Sequence, residues 1–304
     1  MKRFYIAVLL FILPIFVFMG GVEYAVRQIP NEYKYKNEWM ELHAEEVETL
    51  IIGNSHTEGG INPALIGKHA FNLSISGQEY MYSHFLFFKW ANRLVRLKTI
   101  ILPVSYFSFY RDTLGASSAT MQELSYRIYM DCPYHKYDIA YNIEALYYKP
   151  LVEKIGKVIN NESQNWNSDG FVPWQIVNKN PVWNADHVNK SLARIYLARS
   201  YKNVSSNYRL IANIADYCNR HGISVFLVST PQTKEYNRCL SQRQIRSTQD
   251  IVQELQQRYG VKYYDYREDP RFEDDDFYDQ SHLSEIGAHK LTMILTNDIQ
   301  SVDN

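Results

Sequence analysis

Short apolar runs separated by helix-length segments predict an α/β protein: a three-layer α/β/α sandwich on a parallel sheet, with an N-terminal membrane helix and a helical insertion. Three observations carry that expectation. Apolar runs near 48–53, 98–105, 223–230 and 261–265 each stop at glycine, proline or polar residues. The segments between them have helical length and periodicity, as parallel pairing requires. An uncharged stretch from Phe4 to Val22 follows Lys2 and Arg3.

At 304 residues and 46% apolar content the chain can bury a sizeable core. With 32 basic and 33 acidic residues its formal charge is -1, which gives no electrostatic reason to bind nucleic acid. The cysteines Cys132, Cys218 and Cys239 have neither metal-ligand spacing nor an even count, so they imply no zinc site and no disulfide framework.

The elements follow in order. Phe4 to Val22 is long enough to cross a hydrocarbon layer, and Pro14 within it is tolerable in lipid. No small-x-small cleavage site stands near Gly20, Gly21 or Ala25, which favours an uncleaved anchor over a signal peptide. Lys2 and Arg3 on one side are balanced by Arg27, Lys34 and Lys36 on the other, so the positive-inside count leaves the orientation open. Residues 1–25 are read as the anchor, 26–46 as a juxtamembrane linker, and 47–304 as one domain with an aromatic-rich helical insertion at about 106–205.

Within that domain a first strand spans Glu48 to Gly53 and a second Ala70 to Leu73. An amphipathic segment from Gln78 to Leu97 leads to a buried strand, Lys98 to Ser105. The insertion is rich in tyrosine, with Tyr126, Tyr129, Tyr134, Tyr137, Tyr141, Tyr147 and Tyr148, and carries Trp166, Trp174 and Trp183. Regular alternation resumes with a helix at 207–221, a strand at 223–230 stopped by Pro231, a helix at 241–259, a strand at 261–265 and a last helix at 284–299. The order is that of a flavodoxin-like sheet.

Two stretches carry chemistry. Leu50-Ile51-Ile52-Gly53-Asn54-Ser55 is a strand running into a tight turn, which leaves the Ser55 hydroxyl at a strand's carboxyl end, where open α/β sheets bind ligands. Asp279-Gln280-Ser281-His282 lies far downstream, and Asp-x-x-His lets a carboxylate fold back onto Nδ1 while Nε2 faces outward. Together they supply a nucleophile, a base and the group that orients the base. The alternative is a plain strand-to-helix turn and a loop histidine beside a solvated acidic run, Glu273 to Asp276. That run lacks the glycine and spacing of a calcium loop. The tryptophans and tyrosines read either as core or as platforms on which sugar rings stack.

With these motifs the chain resembles the SGNH or GDSL-type serine hydrolases. Gly53-Asn54-Ser55 with Gly59 matches the first block, except that Asn54 replaces an aspartate. Asn72-Leu73-Ser74-Ile75-Ser76-Gly77 matches the second, and Asp279 with His282 the last. The third block departs: Pro103-Val104-Ser105-Tyr106 puts Ser105 where the family's oxyanion asparagine stands.

The resemblance implies a nucleophilic Ser55, a base His282 oriented by Asp279, and oxyanion donors at the Ser55 amide, Gly77 and Ser105, with no metal or organic cofactor. It implies an esterase or O-acyltransferase acting on acyl esters of a cell-envelope glycan. Anchored members of the superfamily further imply a soluble part outside the cytoplasmic membrane and a polytopic acyltransferase as partner. The altered third block leaves a non-catalytic accessory protein as the other reading.

Overall fold

The computed structural model describes residues 1–111, 119–133, 142–161, 163–175, 188 and 203–301. Tyr134, Tyr137, Tyr141 and Trp183 lie outside the described residues. In chain order the first elements are α1 (Lys2–Gln28), α2 (Glu32–His43), β1 (Thr49–Ile51), α3 (Ser55–Glu58), β2 (Ala70–Asn72), α4 (Tyr80–Trp90), β3 (Thr99–Pro103), α5 (Ala119–Met130) and α6 (Tyr148–Ile159). There follow α7 (Val204–Arg220), β4 (Ser224–Ser229), α8 (Lys234–Arg238), α9 (Gln242–Tyr259), β5 (Lys262–Asp265) and α10 (Glu285–Gln300). Two compact units result: Met1–Glu38 with Gly115–Gln164, and Trp39–Leu114 with Asn165–Asn304.

In the first unit, α1 is 27 residues long and apolar enough to cross a membrane. At ~1.5 Å per residue it reaches about 40 Å, more than a hydrocarbon core needs. It continues past Val22 because Glu23 and Arg27, one helical turn apart, form an ion pair at 2.6 Å. The same Glu23 carboxylate accepts the N–H groups of Glu144 (3.1 Å) and Ala145 (2.8 Å), in a 3-10 turn over Glu144–Leu146 that leads into α6. Tyr126 and Tyr129 of α5 are buried. The Tyr129 hydroxyl donates to Glu144, and the Lys154 ammonium pairs with the same carboxylate at 2.7 Å.

The second unit holds a five-stranded, wholly parallel sheet in the order β2-β1-β3-β4-β5, the flavodoxin-like arrangement expected from the sequence. Register is set by pairs such as Leu50 with Phe71 on one side and Ile100 on the other. Right-handed crossovers fix where the helices go. The steps from β2 to β3, β4 and β5 run one way across the sheet, which places α4, α7 and α9 on one face, and these helices do touch one another. The step from β1 to β2 runs the other way, and α10 packs on that opposite side against the turn Pro63–Leu65. The direction reverses between β1 and β3, so the crevice of the sheet opens at their carboxyl ends.

The core beneath α10 joins Ile51, Ile101, Phe226 and Val228 of the sheet to Leu291 and Leu295 of the helix, and to Phe277 and Leu283 of the loop before it. That burial seats the loop 277–283 over the end of β1. Where the sequence suggests one amphipathic segment to Leu97, α4 stops at Trp90. The chain continues in turns closed by Arg93 N–H and Leu94 N–H on the Trp90 carbonyl, and Leu94 and Leu97 are buried there without being helical. Their burial reproduces helical spacing in the sequence.

Candidate active site

The site begins where β1 ends. A Cβ on Gly53 would stand 2.2 Å from Cδ of Pro103, so only glycine lets β1 leave the sheet this close to β3. Asn54 then caps α3, its Oδ1 accepting the His56 N–H at 3.0 Å, and Ser55 is the first helical residue. The cap fixes the amide, because Oδ1 must face the His56 N–H. Nδ2 is therefore turned to Ser105, and it donates to the Ser105 hydroxyl at 3.0 Å. Both side chains are buried. The Ser105 hydroxyl in turn donates to the Asn54 Oδ1 at 3.4 Å, a longer contact than the one it accepts.

The Ser55 hydroxyl lies 2.9 Å from Nε2 of His282. On the other side of that ring, Nδ1 meets both oxygens of Asp279, at 2.9 and 2.8 Å. Oδ1 of Asp279 also accepts the backbone N–H groups of Ser281 (2.8 Å) and His282 (2.9 Å). This is how Asp-x-x-His works physically: the carboxylate closes the loop through main-chain donors and presents itself to the ring in the same act. Burial works to raise the Asp279 pKa, but the hydrogen bond and charge of His282 and the two backbone donors outweigh it and hold the carboxyl down at about 2. A carboxylate so held fixes Nδ1–H as the protonated nitrogen and leaves Nε2 to accept from Ser55.

The loop is pinned on both flanks. Thr233, after β4, binds the Gln280 carbonyl through its N–H and its hydroxyl, both at 3.1 Å. Ser284 caps α10 by accepting the Gly287 N–H at 3.3 Å. In the acidic run before the loop, Glu273 and Asp276 form a capping box, and Asp276 pairs with Lys290 at 2.7 Å. Among the described residues no group of three or more His, Cys, Asp or Glu is placed to hold a metal ion.

The segment carrying Gly77 is drawn to the β1 turn by the Ile75 N–H, which donates to the Gly53 carbonyl at 3.0 Å. Gly77 has φ 78, a left-handed conformation that disfavours side chains. Glu58, buried at the end of α3, accepts the Ser76 N–H at 2.8 Å and the Ser76 hydroxyl as well. Among the described residues, neither the Ser55 N–H nor the Gly77 N–H donates to a protein acceptor. Both amides are available to a developing oxyanion.

Two walls complete the site. His56 is buried, with Nδ1 3.1 Å from the Thr230 hydroxyl and its ring edge-to-face with Phe107 at 5.7 Å and with His282 at 4.9 Å. Burial, helped by the nearby His282, pushes its pKa down to about 3, so it is neutral and lines the turn. Trp174 stands edge-to-face with His282 at 4.7 Å and beside Tyr278 at 5.5 Å. Its indole packs so closely on Gly59 that a Cβ there would fall 2.8 Å from it, which accounts for the second glycine of the first block.

No family model matches the chain, and no curated protein matches it either. Solved structures that resemble it include lipases and acetylesterases. One is a GDSL-like lipase from Bacteroides thetaiotaomicron, 13% identical, TM-score 0.43, covering 90% of this chain and 100% of that one. Another is a lipase/acylhydrolase from Enterococcus faecalis, 10% identical, TM-score 0.40, covering 84% and 96%. A carbohydrate acetylesterase family member from Sinorhizobium meliloti is 9% identical, TM-score 0.33, covering 84% and 98%. At this distance the likeness assigns no activity, and function is read from the site itself.

Of the residues singled out in the sequence, Ser55, His282 and Asp279 form one hydrogen-bonded chain, Gly77 is held beside the β1 turn, and Ser105 is joined to Asn54. Sequence reasoning assigned no role to Glu58, and it considered Trp174 only among the aromatics of the insertion. Glu58 sits three residues after the serine, one helical turn on, which is the signal that places it on the same face.

Proposed function

We propose that this protein is a membrane-anchored serine esterase or O-acyltransferase acting on small acyl esters, acetyl in the simplest case, of a cell-envelope glycan. The observation that carries the reading is the 2.9 Å contact between the Ser55 hydroxyl and Nε2 of a histidine already oriented by a carboxylate. Ser55 attacks the acyl carbon while its proton passes to Nε2. The amides of Ser55 and Gly77, with the Ser105 hydroxyl as a third donor, receive the oxyanion. Collapse expels the alcohol, which takes the proton from Nε2, and leaves an acyl-Ser55. Water, or a sugar hydroxyl in the transferase case, then gives up its proton to Nε2 as it attacks the acyl carbon, and Nε2 returns that proton to the departing Ser55 oxygen.

Half-buried Trp174 and the more exposed Tyr278 (46%) beside His282 support a carbohydrate substrate, since such rings offer apolar faces to a sugar at a wet surface. The apolar α1 supports anchoring. A soluble part outside the cytoplasmic membrane and a polytopic acyltransferase as partner are supported by the resemblance to the hydrolase superfamily rather than by the helix. The test is a fluorophosphonate probe and p-nitrophenyl acetate on the full chain: labelling and turnover are expected, and both disappear in Ser55→Ala. The absence of both from the native chain would leave the second reading, a non-catalytic glycan-binding accessory protein. The observation that favours this reading is that the Ser105 hydroxyl, in the oxyanion asparagine's place, is already tied to Asn54.

A further inference from the structure

We infer that α6 lies in the membrane–water interface, with one apolar face in the lipid beside the point where α1 leaves it. The inference rests on α1 being a membrane anchor. Around α6, Leu151, Val152, Ile155, Val158 and Ile159 share one side, while Glu153, Lys154 and Lys157 take the other. The apolar side is left uncovered: Val152 is 47% exposed, Ile155 42%, Val158 59% and Ile159 76%. Leu146, just before the helix, is exposed as well. Four large aliphatic side chains in a row on a twelve-residue helix form a patch that soluble surfaces seldom leave open.

The occupant follows from where the helix is fastened. The uncharged run of α1 ends at Val22, and the next residue, Glu23, is the one whose carboxylate takes the N–H groups of Glu144 and Ala145. Arg27, one turn further along α1, donates to the Asn142 carbonyl at 2.6 Å. The turn that starts α6 is therefore tied to α1 at the level where its hydrocarbon-spanning part ends. A buried knot of Glu144, Tyr129 and Lys154 then holds the first turns of α6 to α5. An amphipathic helix fixed at that depth has its apolar face against the acyl chains, with exposed Glu153 and Lys157 toward the headgroups and water. Both the apolar surface of α1, from Phe4 to Phe18, and the apolar face of α6 are exposed.

The test uses the full chain with Cys239→Ser, since Cys132 and Cys218 are buried and inert to thiol reagents. Single cysteines at Val152→Cys and Ile155→Cys on the apolar side, Lys157→Cys on the polar side and Phe11→Cys in α1 each carry an environment-sensitive fluorophore. The chain is reconstituted in phosphatidylcholine–phosphatidylglycerol vesicles with or without a doxyl-lipid quencher. The Val152 and Ile155 labels are expected to shift to the blue and lose most of their emission to the quencher, as the Phe11 label does, while the Lys157 label stays bright. If only the Phe11 label is quenched, the anchor stands and the inference about α6 is overturned. A blue shift at Val152 without quenching also overturns it, because a second copy or another protein then covers the face. If no label is quenched, the anchor reading fails and the inference with it.

Discussion

Glu58 and Ser76 are joined twice, the carboxylate taking both the N–H and the hydroxyl of the residue immediately before Gly77. The helix that begins with Ser55 thus ends by gripping the strand exit that offers the second amide. In the proposed mechanism Glu58 is a positioning residue, holding the Gly77 amide in place relative to Ser55 without touching substrate. Glu58→Ala is expected to lower kcat by roughly tenfold to a hundredfold, about the scale of an impaired oxyanion donor, with KM little changed. Glu58→Gln should recover much of the loss, because its amide can still accept the Ser76 N–H while the hydroxyl reverses its role. Steady-state kinetics on an acetyl ester decide it, and a change confined to KM would remove the assignment.

Asp279 fixes the tautomer of His282, so its amide is predicted to fail where its shape succeeds. Asp279→Asn should fold normally and lose on the order of 10³ to 10⁴ in kcat, because an amide NH2 facing Nδ1 leaves the proton on the wrong nitrogen. The pH sense is set by the depressed pKa. The carboxylate's contribution is complete above the ordinary Asp range and is lost only as pH falls toward about 2. Loss of native activity between pH 4 and 7 is therefore not expected to come from this group. A direct titration of Asp279 by carboxyl NMR with a midpoint above 4 would contradict the geometry.

His56 makes stability, rather than rate, depend on pH. Its pKa is near 3 in the folded chain against about 6.5 for a free imidazole, so the unfolded chain takes up a proton that the folded chain refuses over that interval. The contribution is whole above about 6.5 and declines as pH falls toward 3. The native chain should lose up to about 1.4 kcal/mol per pH unit more than His56→Gln across that window. Urea unfolding at several pH values from 4 to 7 measures this, and parallel slopes for the two proteins would refute it.

Ser105 and Asn54 form a buried pair in which each satisfies the other. Ser105→Ala strands the Asn54 Nδ2 and is expected to cost about 1–3 kcal/mol of stability. If Ser105 also donates to the oxyanion, kcat falls by roughly a hundredfold in the same variant. A drop in the melting temperature with kcat intact would confine Ser105 to the cap of α3. A paired fall in both places it at the reacting oxygen.

Much of this was legible in the chain. The strand order follows from apolar runs alternating with helical lengths, since parallel pairing and right-handed crossovers leave few ways to connect them. Ser55, Asp279 and His282 could be picked out because a serine at a strand end and Asp-x-x-His are local patterns whose geometry is set by a few bonds. Glu58 was harder to read: its spacing from Ser55 puts it one helical turn on, but a single carboxylate near a turn looks solvated, and only its partner Ser76 explains its burial. The end of α4 was misplaced because Leu94 and Leu97 are buried in turns at helical spacing. Trp174 lies in a stretch without periodicity, where a large aromatic carries no sign of which surface it will cover.

The stretch that delivers Trp174 has a second attachment a few residues earlier. Asp169 offers its carbonyl to the Asn72 N–H at 2.9 Å, and Gly170, at φ 81, lies so close to the Asn72 carbonyl that a Cβ would stand 2.2 Å from it. β2 is the outermost strand, and this contact seals the border from which another chain might otherwise extend the sheet. One short piece of polypeptide therefore guards against self-association and builds the rim around the imidazole. Trimming it to enlarge the substrate entrance would unmask a sticky edge, so variants selected for wider substrate range should pass through point changes at the indole rather than through deletions.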